Sequence, residues 1–283
     1  MMYESGLILE GGGMRGVYTA GVLDFFIDKD IEFKSLYGVS AGACHGCSYL
    51  SKQRKRAFET NVNYLKDRNY CSLYSLITTG DLFGAEMIYN TIPNKLHPFD
   101  YEAFDKSPSS FKVVVTNIKS GKAEYIQIKD LHKDIIAVRA SSSLPLLARN
   151  VVIGGQEYLD GGVSDSIPLN KSIEDGNLKN VLILTQHDGY RKSPNSMLPI
   201  IKRKYKKYPK LVGAVENRHI NYNSTLDFVK EEVSKGQAFV IQPRKPVSIR
   251  RIEKDKKRLT ELYEEGYSDA AESYKNLMSF LSN

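Results

Sequence analysis

A chain of 283 residues with an ordinary apolar fraction can bury one large core, and its longest apolar runs fall well short of the roughly 20 residues a membrane span needs. Three cysteines (Cys44, Cys47, Cys71) are too few, and an odd number, for a disulfide framework, and the N-terminus lacks the basic and apolar regions of a secretory signal, so a reducing cytoplasm is expected. The net charge of +7 is concentrated late: residues 200–258 hold 17 Lys/Arg against 6 Asp/Glu, an excess of 11, which leaves −4 elsewhere.

Leu7-Ile8-Leu9 reads as a buried strand and Val17 to Lys29 as a helix apolar on nearly every side, hence interior. Between them runs Gly11-Gly12-Gly13-Met14-Arg15-Gly16. Three readings compete for this loop. It satisfies the dinucleotide pattern G-x-G-x-x-G, with Asp30 or Glu32 able to serve as the ribose-binding acid. It is a bare row of backbone N–H groups suited to an oxyanion, where each well-aimed donor lowers a barrier by about 3 kcal/mol. It is also a plain tight turn. A Walker loop is excluded, because no Lys-Ser/Thr pair closes it.

The next strand, ending Ser35-Leu36-Tyr37, enters Gly38-Val39-Ser40-Ala41-Gly42. This G-x-S-x-G lies where a strand would end and a helix begin, a turn that exposes a serine hydroxyl in strained backbone with glycines relieving the crowding on either side. The helix opening at Ala41 aims free N–H groups at the same point. A strand ending in a nucleophile, rather than in an acid, favours the oxyanion reading of the first loop. Cys44-His45-Gly46-Cys47 forms a C-x-x-C, but buried thiols in a closely packed helix account for it better than redox or metal chemistry.

Residues 52–70 read as a surface helix, and 71–100 as helices and turns over the site, a lid or an ordinary connection. Phe111 to Asn117 is a strand, paired through the Ser120-Gly121-Lys122 turn with Ala123 to Ile128. A helix is expected over Asp134 to Ser143, ending before Leu144-Pro145. Val151 to Ile153 and Glu157 to Leu159 form a hairpin or a pair of short strands that deliver Asp160-Gly161-Gly162, an ordinary turn unless a nearby serine wants a base. Ser166-Ile167-Pro168 continues as loop, and Val181 to Thr185 is another buried strand.

Together these blocks resemble the patatin-like phospholipases. The family's G-G-G-x-R-G loop matches Gly11 to Gly16, its G-x-S-x-G matches Gly38 to Gly42, and its D-G-[AG] matches Asp160 to Gly162. Ala140-Ser141-Ser142-Ser143-Leu144-Pro145 is similar to the A-S-x-x-x-P block between the last two. The resemblance spans about residues 6–190 and implies a three-layer α/β/α fold with a mostly parallel sheet. It implies a catalytic domain over 1–199 and a basic C-terminal extension over 200–283 packed on it. It also implies a serine lipid acyl hydrolase of phospholipase A or lysophospholipase type. Ser40 would be the nucleophile and Asp160 the base of a Ser–Asp dyad, with backbone N–H groups of Gly12, Gly13 and Ala41 holding the oxyanion and Arg15 bracing the loop. The partner implied is a lipid ester; no cofactor, metal or nucleic acid is called for, and no oligomeric state is specified.

Two rivals stay open at this point. A Ser-His-Asp triad would use His187, which follows both Ser40 and Asp160 in the chain. A non-catalytic nucleotide-binding protein would use Gly11 to Gly16. In the late segment, tyrosines interleave with cations over residues 202–210, a candidate face for peripheral contact with an anionic membrane. Gln237 to Gln242 reads as a strand, and the helical spacing from Leu259 to Leu281 as two helices split at Gly266, with Ser268 as N-cap.

Overall fold

The computed structural model describes residues 2–282. In chain order the elements are β1 (Met2–Leu9), α1 (Val17–Asp28), β2 (Glu32–Val39), α2 (Ala41–Leu50), α3 (Arg56–Val62), α4 (Leu73–Thr79) and α5 (Tyr101–Asp105). Then come β3 (Ser110–Asn117), β4 (Ala123–Ile128), α6 (Leu131–Ser141), β5 (Val151–Ile153), β6 (Gln156–Asp160) and α7 (Leu169–Glu174). The chain closes with β7 (Asn180–Ile183), α8 (Leu198–Lys204), α9 (Pro209–Ser234), β8 (Ala238–Ile241) and α10 (Lys256–Ser282).

The strands form one mixed sheet in the order β5-β6-β3-β2-β1-β7-β8, with β4 also on β3. From β3 through β2, β1 and β7 to β8 the pairing is parallel. Only β4, β5 and β6 pair antiparallel. Leu7 and Leu9 face a core shared with α1, α2 and α10, while Ile8 faces a second core with Leu169 of α7 and Tyr222 and Val229 of α9. A strand covered on both faces has no polar side to present, which is why β1 reads as an unbroken apolar run. The result is three layers, as expected. Residues 200–282 are woven into them: β8 is the sheet edge beside β7, and α9 and α10 lie on opposite faces.

One register decides where the site forms. On β3, Val114 pairs with Val39 on one side and Tyr125 on the other. The next residue, Val115, pairs with Asp160 and Glu124. Strands β2 and β6 therefore lie end to end along the same side of β3, and their C-terminal ends meet. Ser40 follows one of those ends and Asp160 is the other.

Three expectations are corrected. The last helix, α10, is unbroken through Gly266, and Ser268 lies inside it. Gly266 packs against Tyr18 of α1, where a Cβ would overlap the Tyr18 carbonyl oxygen; Gly21 does the reciprocal service at Tyr263. The glycine marks a helix crossing, not a break. Residues 52–70 form only the short α3, whose Arg56 is buried rather than on a surface face. Its guanidinium donates to His97 O at 2.9 Å and stacks 4.9 Å from the Phe99 ring. Helix α6 begins at Leu131, three residues early, because the Asp130 side chain caps it by accepting from Lys133 N.

Candidate active site

Ser40 has φ 54° and ψ −120°, a left-handed backbone that L-residues seldom adopt. Such strain costs on the order of 1–3 kcal/mol and persists only where neighbours over-determine it. Here Ser40 N donates to Ser141 Oγ at 2.8 Å, and the amides of Ala43 and Cys44 turn back to Ser40 O. Gly42 and Gly38 sit where a Cβ would press on Leu9 and Ala43, so both elbow glycines are needed for packing.

The Ser40 hydroxyl donates to Asp160 Oδ2 at 2.8 Å. The other carboxylate oxygen, Oδ1, accepts from Gly162 N at 2.8 Å as Asp160 caps the short 3₁₀ turn Gly161–Val163. Asp160 N donates to Ser143 O, and Thr116 Oγ1 donates to Asp160 O. The Ala140 to Pro145 block thus buttresses both partners, Ser141 beneath the serine and Ser143 beneath the aspartate. Burial raises the Asp160 pKa above the ordinary carboxylate value, while Arg218, the Ser40 hydroxyl and the Gly162 amide pull it back down.

The glycine loop lies directly over the elbow: a Cβ at Gly11 would sit 2.8 Å from Ser40 Cβ, and Gly13 takes φ +59°. Met14 N is committed to Arg251 O at 3.0 Å. Among the described residues the N–H groups of Gly12, Gly13 and Ala41 have no acceptor. Gly16 packs against the His45 imidazole, and Arg15 reaches a cleft beside Ser40.

Two cavities meet at Ser40. One, of about 150 Å³, is walled by Ile88, Tyr89, Ile92, Pro93, Phe99, Leu131, Ile135 and Val138. Segment 71–100 supplies much of this wall, as expected of residues over the site. The other is a small polar cleft bounded by Glu10, the glycine loop, Asp160, Lys192, Arg218 and Arg251. Ser40, Gly13 and Leu144 line both.

The rival readings fare poorly on geometry. Asp160 contacts the serine directly, with no imidazole between them, and His187 Nδ1 faces Asp188 O at 2.5 Å. Glu32 opens β2 and is paired with Lys52, roughly 26 Å of strand from the loop end where a ribose-binding acid would sit. Cys47 donates its thiol to Ala43 O at 3.3 Å and Cys44 lies 3.5 Å from Ser142 Oγ; burial raises both thiols above their usual pKa.

Residues 7–171 match the family model described as patatin-like phospholipase. The chain belongs to the patatin-like phospholipase family. Membership of this family supports lipid hydrolysis. Residues 208–282 match the model of a domain of unknown function, DUF6363. An uncharacterized Escherichia coli protein, YjjU, is 27% identical over 259 residues, covering 85% of this chain and 69% of its own. A probable lipid hydrolase, 463L of invertebrate iridescent virus 6, is 26% identical over 195 residues, covering 63% of this chain and 66% of its own. The crystal structure of VipD from Legionella pneumophila superposes with a TM-score of 0.51 at 11% identity, covering 95% of this chain and 66% of that one, so the fold is patatin-like. The chain spans about two thirds of the length of each. Among the described residues no helix is long and apolar enough to cross a membrane.

Sequence reasoning missed Glu10, Lys192, Arg218 and Arg251, and gave Ser141 no part beyond its block. Arg218 carries no local signal, being one cation on the long helix α9. Glu10 was hidden in plain view before the glycines: buried, it accepts from Thr185 N and Tyr222 OH, each at 2.7 Å.

Proposed function

We propose that the protein is a carboxylic ester hydrolase acting on lipid acyl esters, in the manner of a phospholipase A or lysophospholipase, through a Ser40–Asp160 dyad. The observation that carries this is the 2.8 Å hydrogen bond from the strained Ser40 hydroxyl to the buried Asp160 carboxylate, at the mouth of an apolar cavity. The acyl chain enters that cavity and the ester carbonyl lies over Ser40. Ser40 Oγ attacks the carbonyl carbon as its proton passes to Asp160 Oδ2. The negative oxygen is held by the N–H groups of Gly12, Gly13 and Ala41, the last with the N-terminal end of α2 behind it. The tetrahedral intermediate collapses, the C–O bond breaks, and the leaving alkoxide takes the proton from Asp160. Water then attacks the acyl-serine, gives its proton to Asp160, and Ser40 recovers it as the fatty acid departs.

A fluorophosphonate probe is expected to label the wild type at Ser40 and leave Ser40→Ala unlabelled, read by mass spectrometry of the peptide. An unlabelled, folded wild type overturns the reading.

Peripheral membrane contact through residues 202–210 is part of the same proposal. Helix α8 buries Ile201 and exposes Ile200; Met197 is exposed at its N-cap, and Lys202, Arg203 and Lys204 form its last turn. Lys202 is paired with Glu216, which leaves Arg203, Lys204, Lys206, Lys207 and Lys210 to meet head groups. At about 1 kcal/mol per cation near an anionic surface, the protein co-sediments with phosphatidylserine vesicles at low salt and is released at high salt. Failure to bind at low salt removes this contact.

A further inference from the structure

Four cations border the polar cleft beside Ser40, from parts of the chain that are far apart: Arg15 in the glycine loop, Lys192 after β7, Arg218 on α9 and Arg251 before α10. Two acids, Glu10 and Asp160, share that cleft, so its formal balance is +2. The acids do not neutralise the cations by contact. Glu10 spends its oxygens on Thr185 and Tyr222, and Asp160 on Ser40 and Gly162. Among the described residues none of the four cations forms a salt bridge, and the buried Nε atoms of Arg15 and Arg218 have no hydrogen-bond partner. Unpaired buried guanidinium nitrogens carry a desolvation cost that a native fold keeps only where something offsets it.

We propose that this cleft is the head-group subsite of the enzyme and takes a phosphate monoester, so that the substrate is an acyl lipid carrying an anionic phosphate close to the scissile ester. The inference rests on the hydrolase reading and deepens it. Both cavities share Ser40, so an ester there has its chain in the apolar cavity and its head in the cationic one. A phosphate monoester brings a charge of about −1.5 to −2 and three acceptor oxygens, which matches a +2 cleft whose donors come from separate directions. Lys192 agrees with this. Burial, then the neighbouring Arg218, lowers its pKa to about 7, with Glu10 opposing and Arg251 and Arg15 adding to the fall. Its ammonium lies 4.0 Å from the Tyr222 ring centroid and 5.7 Å from that of Tyr190, so two aromatic faces help to steady it. An arriving anion restores its charge.

The test uses the full chain carrying Ser40→Ala, so that ligand survives, and measures binding of three probes by calorimetry: a monoacylglycerol phosphate, the matching monoacylglycerol and inorganic phosphate. The phosphate lipid is expected to bind at least tenfold more tightly than the neutral lipid. At pH 8 its binding takes up about one proton as Lys192 charges, an uptake that Lys192→Gln abolishes. Arg218→Gln closes the affinity gap. Because Arg218 is partly buried, the exposed Arg251→Gln is measured beside it and is expected to narrow the gap severalfold. Equal affinity for the two lipids, or a gap unmoved by all three substitutions, overturns the subsite. Inorganic phosphate binding as tightly as the phosphate lipid overturns the lipid assignment. If the phosphate lipid binds tightly while the wild type hydrolyses no ester, the hydrolase reading fails and the subsite stands; if the wild type hydrolyses both lipids and binds them alike, the reverse holds.

Discussion

Asp160→Asn lowers kcat/KM on an ester substrate about a thousandfold while the protein stays folded, a loss in the range expected for removing a general base. The geometry says why so conservative a change is severe. Gly162 N donates to Oδ1, so that position must remain a carbonyl oxygen. The new amide nitrogen then occupies the place of Oδ2, 2.8 Å from Ser40 Oγ, and presents a donor where the serine needs an acceptor. The hydrogen bond reverses and the serine proton has nowhere to go. In the wild type the pH profile should follow the same carboxylate. Burial raises its folded pKa, so activity, which needs the ionised form, is lost as pH falls through a value above the ordinary carboxylate range. Arg218 is the largest influence pulling that value down, with Arg251 a lesser one. Arg218→Gln therefore moves the acid limb upward, and a limb that stays put shows that Asp160 is not the titrating group. Activity of Asp160→Asn within tenfold of wild type would rule out the dyad.

The two ends of that hydrogen bond were readable in advance because each is written locally. A serine between Gly38 and Gly42 after an apolar run is a short motif, and an aspartate before Gly161 and Gly162 at a strand end is another, which gains a role once the chain already offers that serine. Their meeting was not written locally. It comes from β2 and β6 abutting along one side of β3, a register no sequence window contains. The layered fold was legible for the same reason as the motifs: Leu7 to Leu9 and Val181 to Ile183 are apolar on both faces, which only a doubly covered sheet tolerates. The cationic cleft was not legible at all. Arg218 and Arg251 counted only toward the charge excess of residues 200–258, of which 202–210 was the candidate membrane face. Their positions beside Ser40 follow from α9 and the segment before α10 folding back over the glycine loop, where Met14 N reaches Arg251 O. Charge excess along a chain does not tell a solvated face from a lined cavity.

Gly266→Val destabilises the protein by about 3 kcal/mol, the upper range for forcing volume into a close-packed contact, and lowers Tm by about 6 °C. Gly266 was read as a helix break because a glycine commonly closes a helix and Ser268 could cap the next one. Helix α10 runs through it because the missing side chain is what allows α1 and α10 to touch backbone to backbone. Gly21 of α1 and Gly266 of α10 make a reciprocal pair: each lies against a carbonyl of the other helix, Tyr263 for the first and Tyr18 for the second. Backbone cannot rotate out of the way as a side chain can, so any Cβ bearing branches must push the helices apart. Around this crossing Tyr18 OH donates to Asp269 Oδ2 at 2.9 Å and Tyr263 OH donates to Asp24 Oδ2 at 2.6 Å, two buried bonds that separation would stretch. A break at Gly266 would make the opposite forecast, since valine would merely extend a helix end at little cost. Thermal unfolding of Gly266→Val with Tm unchanged would therefore count against the close crossing of α1 and α10 at this glycine. A large fall shows that the C-terminal helix is part of the same cooperative core as the strand that leads into Gly11.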